Sequence, residues 1–381
     1  MRVVIVGAGL AGLRTAESLR DKGFDGEIVL VGEEVHLPYD RPPLSKHVLR
    51  GERQPMYLRP EDDYDVLSLD LRLGTTVTSL DLVARTVETA GGPIGYDHVV
   101  IATGAVPRRL PGSPGYVLRT LDDSQALAAL LVPGARIGIV GAGLIGCEVA
   151  ASARAKDVEV HVVDVLSRPL VRVLGDTVAQ RLQELHTEHG VRFHLGTGVM
   201  SATASRLELV DGTVLEVDAV LEAMGVVPAT GWLEGSGLQL DDGVVCDRHG
   251  EAAEGVWAVG DVARWADGRG GTFRREHWTS ATEQAVVVAG AILGEREALA
   301  ATPYWWSDQY DVKLQGLGVA RSDDDVQVVT VGPRQRPVAL YSRDGRLTGV
   351  VGFSAAAFVF RLRPQVEEGA PLSEALAALA V

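Results

Sequence analysis

The 381-residue sequence has only two cysteines, Cys147 and Cys246, and they stand far apart. Two cysteines make no disulfide framework, and without a Cys-x-x-Cys pair there is neither a dithiol relay nor a thiolate metal site. No run of 18 apolar residues occurs without a break, which argues against a membrane-spanning helix. Positive charge is scarce: 36 lysines and arginines face 51 aspartates and glutamates, giving a formal net charge of −15. That balance argues against general nucleic-acid binding. Low-complexity linkers are also missing, so the parts of the chain are expected to pack closely. The N-terminal run Arg2-Val3-Val4-Ile5-Val6-Gly7 is apolar enough to pass for a short signal core. Gly7, Gly9 and Gly12 fit a strand–turn–helix better, and no small-residue cleavage site follows, so the expected location is the cytoplasm.

What is present is ordinary in composition and unusual in pattern. With 46% apolar and 23% charged residues the chain reads as a soluble globular protein. Its length suggests two or three domains. A strand (Val3 to Val6), a Gly-rich turn, a helix through Leu19 and Arg20, and a second strand (Ile28 to Val31) form one βαβ unit. A second copy begins at Arg136, with a strand from Ile137 to Val140, a Gly-rich turn, a helix through Ala155 and a strand from Val158 to Val163. Each copy exits through an A-x-G-x-x-P segment: Ala102-Thr103-Gly104 with Pro107, and Ala223-Met224-Gly225 with Pro228. The shared opening and exit indicate an internal duplication, one unit nested in the other. A further strand ends at Gly260-Asp261, and a helix from Thr279 to Leu293 follows. Beyond Gly294, short alternating runs (Val326 to Val331, Val338 to Tyr341, Leu347 to Phe353) and a final helix predict a small α+β domain.

The predicted fold class is therefore α/β: two Rossmann-like dinucleotide-binding domains, one nested in the other, plus a C-terminal α+β domain. Residues 1–107 with 229–300 would form the first, 108–228 the second and 301–381 the third. In Gly7-Ala8-Gly9-Leu10-Ala11-Gly12 the first glycine permits the tight turn. The second lets backbone approach a pyrophosphate, and the third lets helix and strand pack closely. The helix N-terminus offers unpaired N–H groups and a positive dipole end to the anion. Glu33 lies 21 residues past Gly12, at a strand end where a carboxylate takes both ribose hydroxyls; Glu34 is the neighbouring candidate. The second loop, Gly141-Ala142-Gly143-Leu144-Ile145-Gly146, is followed 18 residues later by Asp164. A carboxylate there repels a 2′-phosphate, so NADH is expected over NADPH, with Arg168 placed to soften the choice.

Three more segments narrow the reading: His36-Leu37-Pro38-Tyr39-Asp40-Arg41-Pro42-Pro43-Leu44-Ser45-Lys46, Gly260-Asp261, and Glu276-His277-Trp278. Together with Ser307-Asp308-Gln309-Tyr310 they resemble the FAD- and NADH-dependent ferredoxin reductases that serve bacterial oxygenases, over essentially the whole chain. The resemblance implies FAD in the first site, NADH in the second, and an iron–sulfur protein as electron acceptor. It implies that Asp261 bonds the ribityl–phosphate region and that Arg41 neutralises the pyrophosphate. It also puts Pro42 near the isoalloxazine, Trp278 at the flavin edge, and Lys46 near flavin N5, paired with Glu148. Glu276 and His277 are binding candidates only. A fixed cation at Lys46 would favour electron density on the reduced flavin. Cys147 is expected to be a buried small hydrophobe.

The expected partner is an acidic [2Fe-2S] or related ferredoxin and, through it, an oxygenase, with no nucleic acid or membrane involved. Residues 331–365 carry Arg334, Arg336, Arg343, Arg346, Arg361 and Arg363 against Asp344 as the only acid. Arg264, Arg269, Arg274 and Arg275 form a second basic group. Either is a candidate docking face or a solvated surface balanced by its neighbours. Rubredoxin, a quinone or a small radical as acceptor, and an apoptosis-inducing-factor-like sensor, stay open as alternatives.

Overall fold

The apolar run after Met1 becomes the strand Arg2–Val6, and Val3, Val4 and Ile5 are fully buried because helices or loops cover both faces of a parallel sheet. The glycine turn then opens the helix Leu10–Asp21, which buries Leu13, Ala16 and Leu19 at helical spacing. Gly23, at φ 86°, turns the chain back into the strand Glu27–Val31. The computed structural model describes residues 1–268, 270–299 and 302–379. Its contacts divide into two units: Met1–Asp40, Met56–Val106 and Val226–Ala301 form the first, and Arg41–Pro55, Pro107–Gly225 and Thr302–Val381 the second.

In the first unit a six-stranded sheet runs in the order Glu251–Ala253, Val256–Ala258, His98–Ile101, Arg2–Val6, Glu27–Val31, Leu69–Arg72. Only the outermost pair, Glu251–Ala253 with Val256–Ala258, is antiparallel. From Arg2–Val6 the chain moves outward on one side and returns at His98–Ile101 on the other. The loop after Arg2–Val6 therefore lies at the point where strand order reverses, which is where open α/β sheets bind ligands. A three-stranded antiparallel meander (Val77–Asp81, Thr86–Thr89, Ile94–Gly95) precedes the return strand.

The second unit repeats this plan. Its parallel sheet has the order Arg192–Leu195, Glu159–Asp164, Arg136–Val140, Ala219–Glu222, so strand order again reverses at the strand that feeds the glycine loop. A meander again precedes the return strand (Val199–Ala202, Arg206–Leu209, Val214–Glu216). The duplication inferred from the glycines and the exits is thus present in the strand order.

The same unit includes two further pieces of chain. Residues 304–353 form a five-stranded antiparallel sheet in the order Tyr304–Gln309, Val312–Gly318, Arg346–Phe353, Arg336–Arg343, Asp325–Val331. The helices Ala356–Arg361, Arg363–Glu368 and Leu372–Leu379 follow it. One sheet face packs on these helices through Leu317, Leu340, Val350, Val359 and Leu362. The other packs Leu314, Tyr341, Val351 and Phe353 against Leu174, Val178 and Leu182 of the helix Val171–Glu188. The second piece, Arg41–Pro55, enters through the short 3-10 turn Pro42–Ser45. Fully buried Leu49 joins the core of Leu127, Val149 and Ala153. Ser124 Oγ donates to Leu44 O at 2.8 Å and Ser152 Oγ to Ser45 O at 2.7 Å.

Candidate functional site

The two glycine loops are alike at the level of single atoms. Gly7 has φ 116°, and a Cβ there would lie 2.2 Å from Ala102 O; Gly141 has φ 109°, and its Cβ would lie 2.3 Å from Ala223 O. A side chain at either position would collide with the neighbouring strand's backbone, so the first glycine fixes the turn. At Gly12 and Gly146 a Cβ would lie 2.0 and 2.1 Å from the carbonyl oxygens of Gly7 and Gly141. These are the close helix–strand approaches. Gly9 and Gly143 differ, because a Cβ on either meets nothing within 4 Å. Those positions face open space at the start of the helices Leu10–Asp21 and Leu144–Arg154, neither of which has a side-chain cap among the described residues. Leu10 and Ala11, and Leu144 and Ile145, form the first turns. Two uncapped helix ends behind open backbone suit two pyrophosphates.

The first unit adds more around its loop. The turn Gly260–Val262 places Gly260 at φ 75°, where a Cβ would be 3.0 Å from Ala11 Cβ and 4.0 Å from Ala281 Cβ. The first turns of the helices Leu10–Asp21 and Trp278–Ile292 therefore converge on Gly260. Gly260 N donates to Gln284 Oε1 at 2.7 Å. The buried Ser280 Oγ and Gln284 Nε2 have no hydrogen-bond partner among the described residues. Orphaned buried polar atoms are costly and call for an explanation. Here they stand on the second uncapped helix, beside the residue sequence analysis assigned to the flavin chain. Asp261 lies next to Gly260 at the surface of this turn. The residues present fit a dinucleotide such as FAD.

Glu33 is exposed past the strand Glu27–Val31 and has no hydrogen-bond or ion-pair partner among the described residues, whereas Glu34 accepts from Tyr39 OH. Of the two acids, Glu33 has its carboxylate uncommitted. Thr103 Oγ1 donates to Ala229 O at 3.0 Å, and Gly104 O accepts from Ala229 N, so Ala102-Thr103-Gly104 is held at the mouth of the first loop. Trp278 Nε1 donates to Asp40 Oδ1 at 2.8 Å, which fixes the indole plane. Glu276 takes Arg274 Nη1 at 2.6 Å. Burial, with Arg275 nearby, lowers the His277 pKa, so its ring is neutral at physiological pH.

In the second unit Asp164 ends its strand with both oxygens engaged: Ala142 N donates to Oδ2 at 2.7 Å and Leu166 N to Oδ1 at 2.8 Å. The carboxylate is thereby held against the glycine loop. Arg168 is turned elsewhere, with Nε 2.6 Å from Asp176 Oδ1 and Nη1 3.2 Å from Gln183 Oε1. Gly225, at φ 87°, closes the loop's far side and its carbonyl accepts from Arg108 N. Arg41 Nη1 donates to Arg119 O, and Pro42 opens the 3-10 turn that carries Lys46.

Lys46 and Glu148 meet. Lys46 Nζ lies 2.7 Å from Glu148 Oε2, with the two side chains only 7% and 4% exposed. The ammonium also donates to Pro42 O at 3.1 Å. Ser45 Oγ donates to Glu148 Oε2, and Ser307 Oγ to Oε1 at 2.6 Å. Glu148 sits two residues past Gly146 in the first turns of its helix, so this buried pair adjoins the second loop. Ser45 and Ser307, which bond the pair, and Gln309 and His186, which stand in line behind Ser307, had no role in the sequence reading. Ser307-Asp308-Gln309-Tyr310 drew attention as a string, yet nothing in it said which side chain turns inward. Cys147 is buried, its thiol pushed up by burial and by neighbouring Glu148 and Asp164. It fills space beside Leu170 and Leu174.

Each basic group is partly paired with acids. Arg336 and Arg343 end one strand, eight residues long and so about 25 Å from end to end. Arg343 pairs with Asp323 and Asp324, and Arg363 with Glu367. Arg264 pairs with Asp241 and Asp242, and Arg274 with Asp242 and Glu276. Arg275 stacks on Phe273 with its guanidinium 4.1 Å from the ring centre, and Arg269 lies outside the described residues. Counting charges along the sequence overlooked acids from distant segments.

The fold and the two loops define an oxidoreductase-type α/β protein with two dinucleotide cradles and a small C-terminal sheet domain. Residues 1–285 match the family described as pyridine nucleotide-disulphide oxidoreductase, and residues 304–380 match the reductase C-terminal domain. The ferredoxin reductase component of chlorobenzene dioxygenase from Cupriavidus sp. (strain PS12) is 40% identical over 93% of this chain and 89% of its own length. Putidaredoxin reductase of Pseudomonas putida is 34% identical over 99% of this chain and 97% of its own. The crystal structure of the covalent putidaredoxin reductase–putidaredoxin complex superposes with a TM-score of 0.90 at 31% identity, covering 100% of this chain and 99% of that one. The chain belongs to the pyridine nucleotide-disulphide oxidoreductase family, in the group of ferredoxin reductases of oxygenase systems.

Proposed function

We propose that this protein is an NADH:ferredoxin oxidoreductase that supplies electrons to an oxygenase through an acidic iron–sulfur ferredoxin. The observation that carries it is a pair of matching dinucleotide cradles in one chain that has no cysteine pair to relay electrons. FAD held there would supply the redox chemistry, two-electron acceptance of a hydride from NADH and one-electron release to an iron–sulfur protein.

The chain's own residues bind, orient and polarise. The loop Gly7 to Gly12, with Glu33, Gly260, Asp261, Ser280 and Gln284, would hold FAD. The loop Gly141 to Gly146, with Asp164, would hold NADH. Residues 1–107 with 229–300, 108–228 and 301–381 remain the proposed functional domains. Lys46 and Glu148 are the proposed catalytic pair: a desolvated ammonium beside the NADH loop, anchored by its carboxylate, would stabilise negative charge developing on the hydride acceptor. Among the described residues no helix is long and apolar enough to cross a membrane, and the cytoplasm is the proposed location.

An anaerobic NADH titration followed by addition of a [2Fe-2S] ferredoxin tests the proposal. The flavin absorbance should bleach with one equivalent of NADH, and cytochrome c reduction should depend on the added ferredoxin. Bleaching with turnover that no ferredoxin accelerates would instead point to a sensor.

A further inference from the structure

The strand Tyr304–Gln309 alternates strictly, with Trp305, Ser307 and Gln309 buried on one face. Around them the core is apolar: Leu314, Tyr341, Val351 and Phe353. Nothing in the packing of that core asks for a serine, a glutamine or a histidine, and burying polar groups costs free energy unless their hydrogen bonds are complete. Here they form a chain. Ser307 Oγ donates to Glu148 Oε1 at 2.6 Å, and Gln309 Nε2 donates to Ser307 Oγ at 3.1 Å. Gln309 Oε1 lies 2.8 Å from His186 Nε2, and Tyr310 OH lies 2.9 Å from His186 Nδ1.

The direction of this chain follows from its two ends. Glu148, paired with Lys46, can only accept, so Ser307 must donate to it. With its proton used, the Ser307 oxygen accepts from the Gln309 amide nitrogen. Gln309 then presents its carbonyl to His186, which must carry its proton on Nε2 and accept from Tyr310 on Nδ1. Every hydrogen points toward Glu148. An amide in the middle makes a poor proton conductor, so the chain is a polarised brace and not a wire.

We propose that Ser307, backed by Gln309 and His186, is a positioning residue that holds Glu148 in the one orientation in which it anchors Lys46. The C-terminal sheet thus sets the geometry of a cation adjoining the NADH loop. In functional terms the inference rests on the reading of Lys46 and Glu148 as the catalytic pair.

The chain has four lysines, Lys22, Lys46, Lys156 and Lys313, so protein labelled with ¹³C at lysine Cε gives a simple proton–carbon spectrum. The two ε-methylene protons of an immobilised lysine differ in shift, whereas those of a freely turning one coincide. In the holoprotein Lys46 is expected to show a split pair, assigned by its loss in Lys46→Met. Ser307→Ala should collapse the splitting, and Ser307→Thr, which keeps the hydroxyl, should retain it. Should Ser307→Ala fail to fold, Gln309→Met, which removes the donor behind the hydroxyl, decides in the same way. An unchanged Lys46 signal in the folded variant overturns the proposal. Stopped-flow flavin reduction at saturating NADH separates the underlying reading. A loss of about tenfold in Ser307→Ala, restored in Ser307→Thr, supports both. A released Lys46 with an unchanged rate keeps the brace and removes the pair from catalysis.

Discussion

Single side chains make the strongest statements about this protein. Lys46 and Glu148 are both charged types and both almost fully buried, an arrangement tolerated only when the partners are also hydrogen-bonded. Ser45, Ser307 and Pro42 O provide those bonds. Removing one partner leaves a buried charge uncompensated, so the test uses near-isosteric variants. Lys46→Met and Glu148→Gln should each slow flavin reduction by NADH, on the order of a hundredfold for the lysine. Unchanged stopped-flow rates in both would remove the pair from the mechanism. Asp164 makes a second statement. Its carboxylate is pinned by two backbone N–H groups where it would repel a 2′-phosphate, and Arg168 is occupied by Asp176 and Gln183. kcat/KM for NADH should exceed that for NADPH by about tenfold or more, the effect of a single unfavourable charge contact of 1.4 kcal/mol or greater. Equal values would refute the assignment.

Elements decide what the loops and the brace can do. Gly12 and Gly146 have the same role in two copies of one βαβ unit, so their variants should separate the cofactors. Gly12→Ala pushes a Cβ to 2.0 Å from Gly7 O, and the purified protein should hold several times less flavin by absorbance. Gly146→Ala should keep its flavin and raise KM for NADH by about tenfold. The opposite pattern would mean the two loops have been assigned to the wrong cofactors. The helix Val171–Glu188 meets the strand Tyr304–Gln309 through His186 and Gln309. Burial, with His189 nearby, holds the His186 imidazole down to about 4, below its ordinary value near 6.5. The unfolded chain therefore takes up a proton that the folded one refuses. The contribution is complete above about pH 6.5 and is lost as pH falls toward about 4. Urea unfolding of the wild type should lose on the order of 3 kcal/mol across that window beyond what His186→Gln loses. Parallel curves for the two proteins would show that His186 is not held neutral.

At the scale of the whole molecule the charge is uneven but well compensated. Of the ten arginines that stand together in the sequence, Arg264, Arg274, Arg343 and Arg363 have acidic partners in space, while Arg334 and Arg346 are exposed without an ion pair among the described residues. An acidic ferredoxin is therefore attracted by a few residual charges against an overall −15. Ferredoxin-dependent turnover should decline only about severalfold between low and physiological ionic strength, while a small quinone acceptor is unaffected. A loss of several orders of magnitude would reveal a basic face that these ion pairs do not predict.

The duplicated fold was legible in the chain itself. Two glycine triplets at fixed spacing, each with an acid near 20 residues on and an A-x-G-x-x-P exit, admit one local backbone solution. At φ 116° and 109° Gly7 and Gly141 disfavour a side chain through their own backbone, before the neighbouring strand adds its clash. Steric exclusion and periodicity act over a few residues, so sequence alone determined the two cradles and their helix ends. Tertiary structure decided everything that depends on distant segments meeting. It placed Ser307 and Gln309 against Glu148, left Ser280 and Gln284 with orphaned donors beside Gly260, and grouped Arg41–Pro55 with the second unit. It also brought acids to four arginines of the two basic groups, Arg264, Arg274, Arg343 and Arg363. Hydrogen bonds and charge pairing depend on direction and distance in space, and a linear count of residues contains neither.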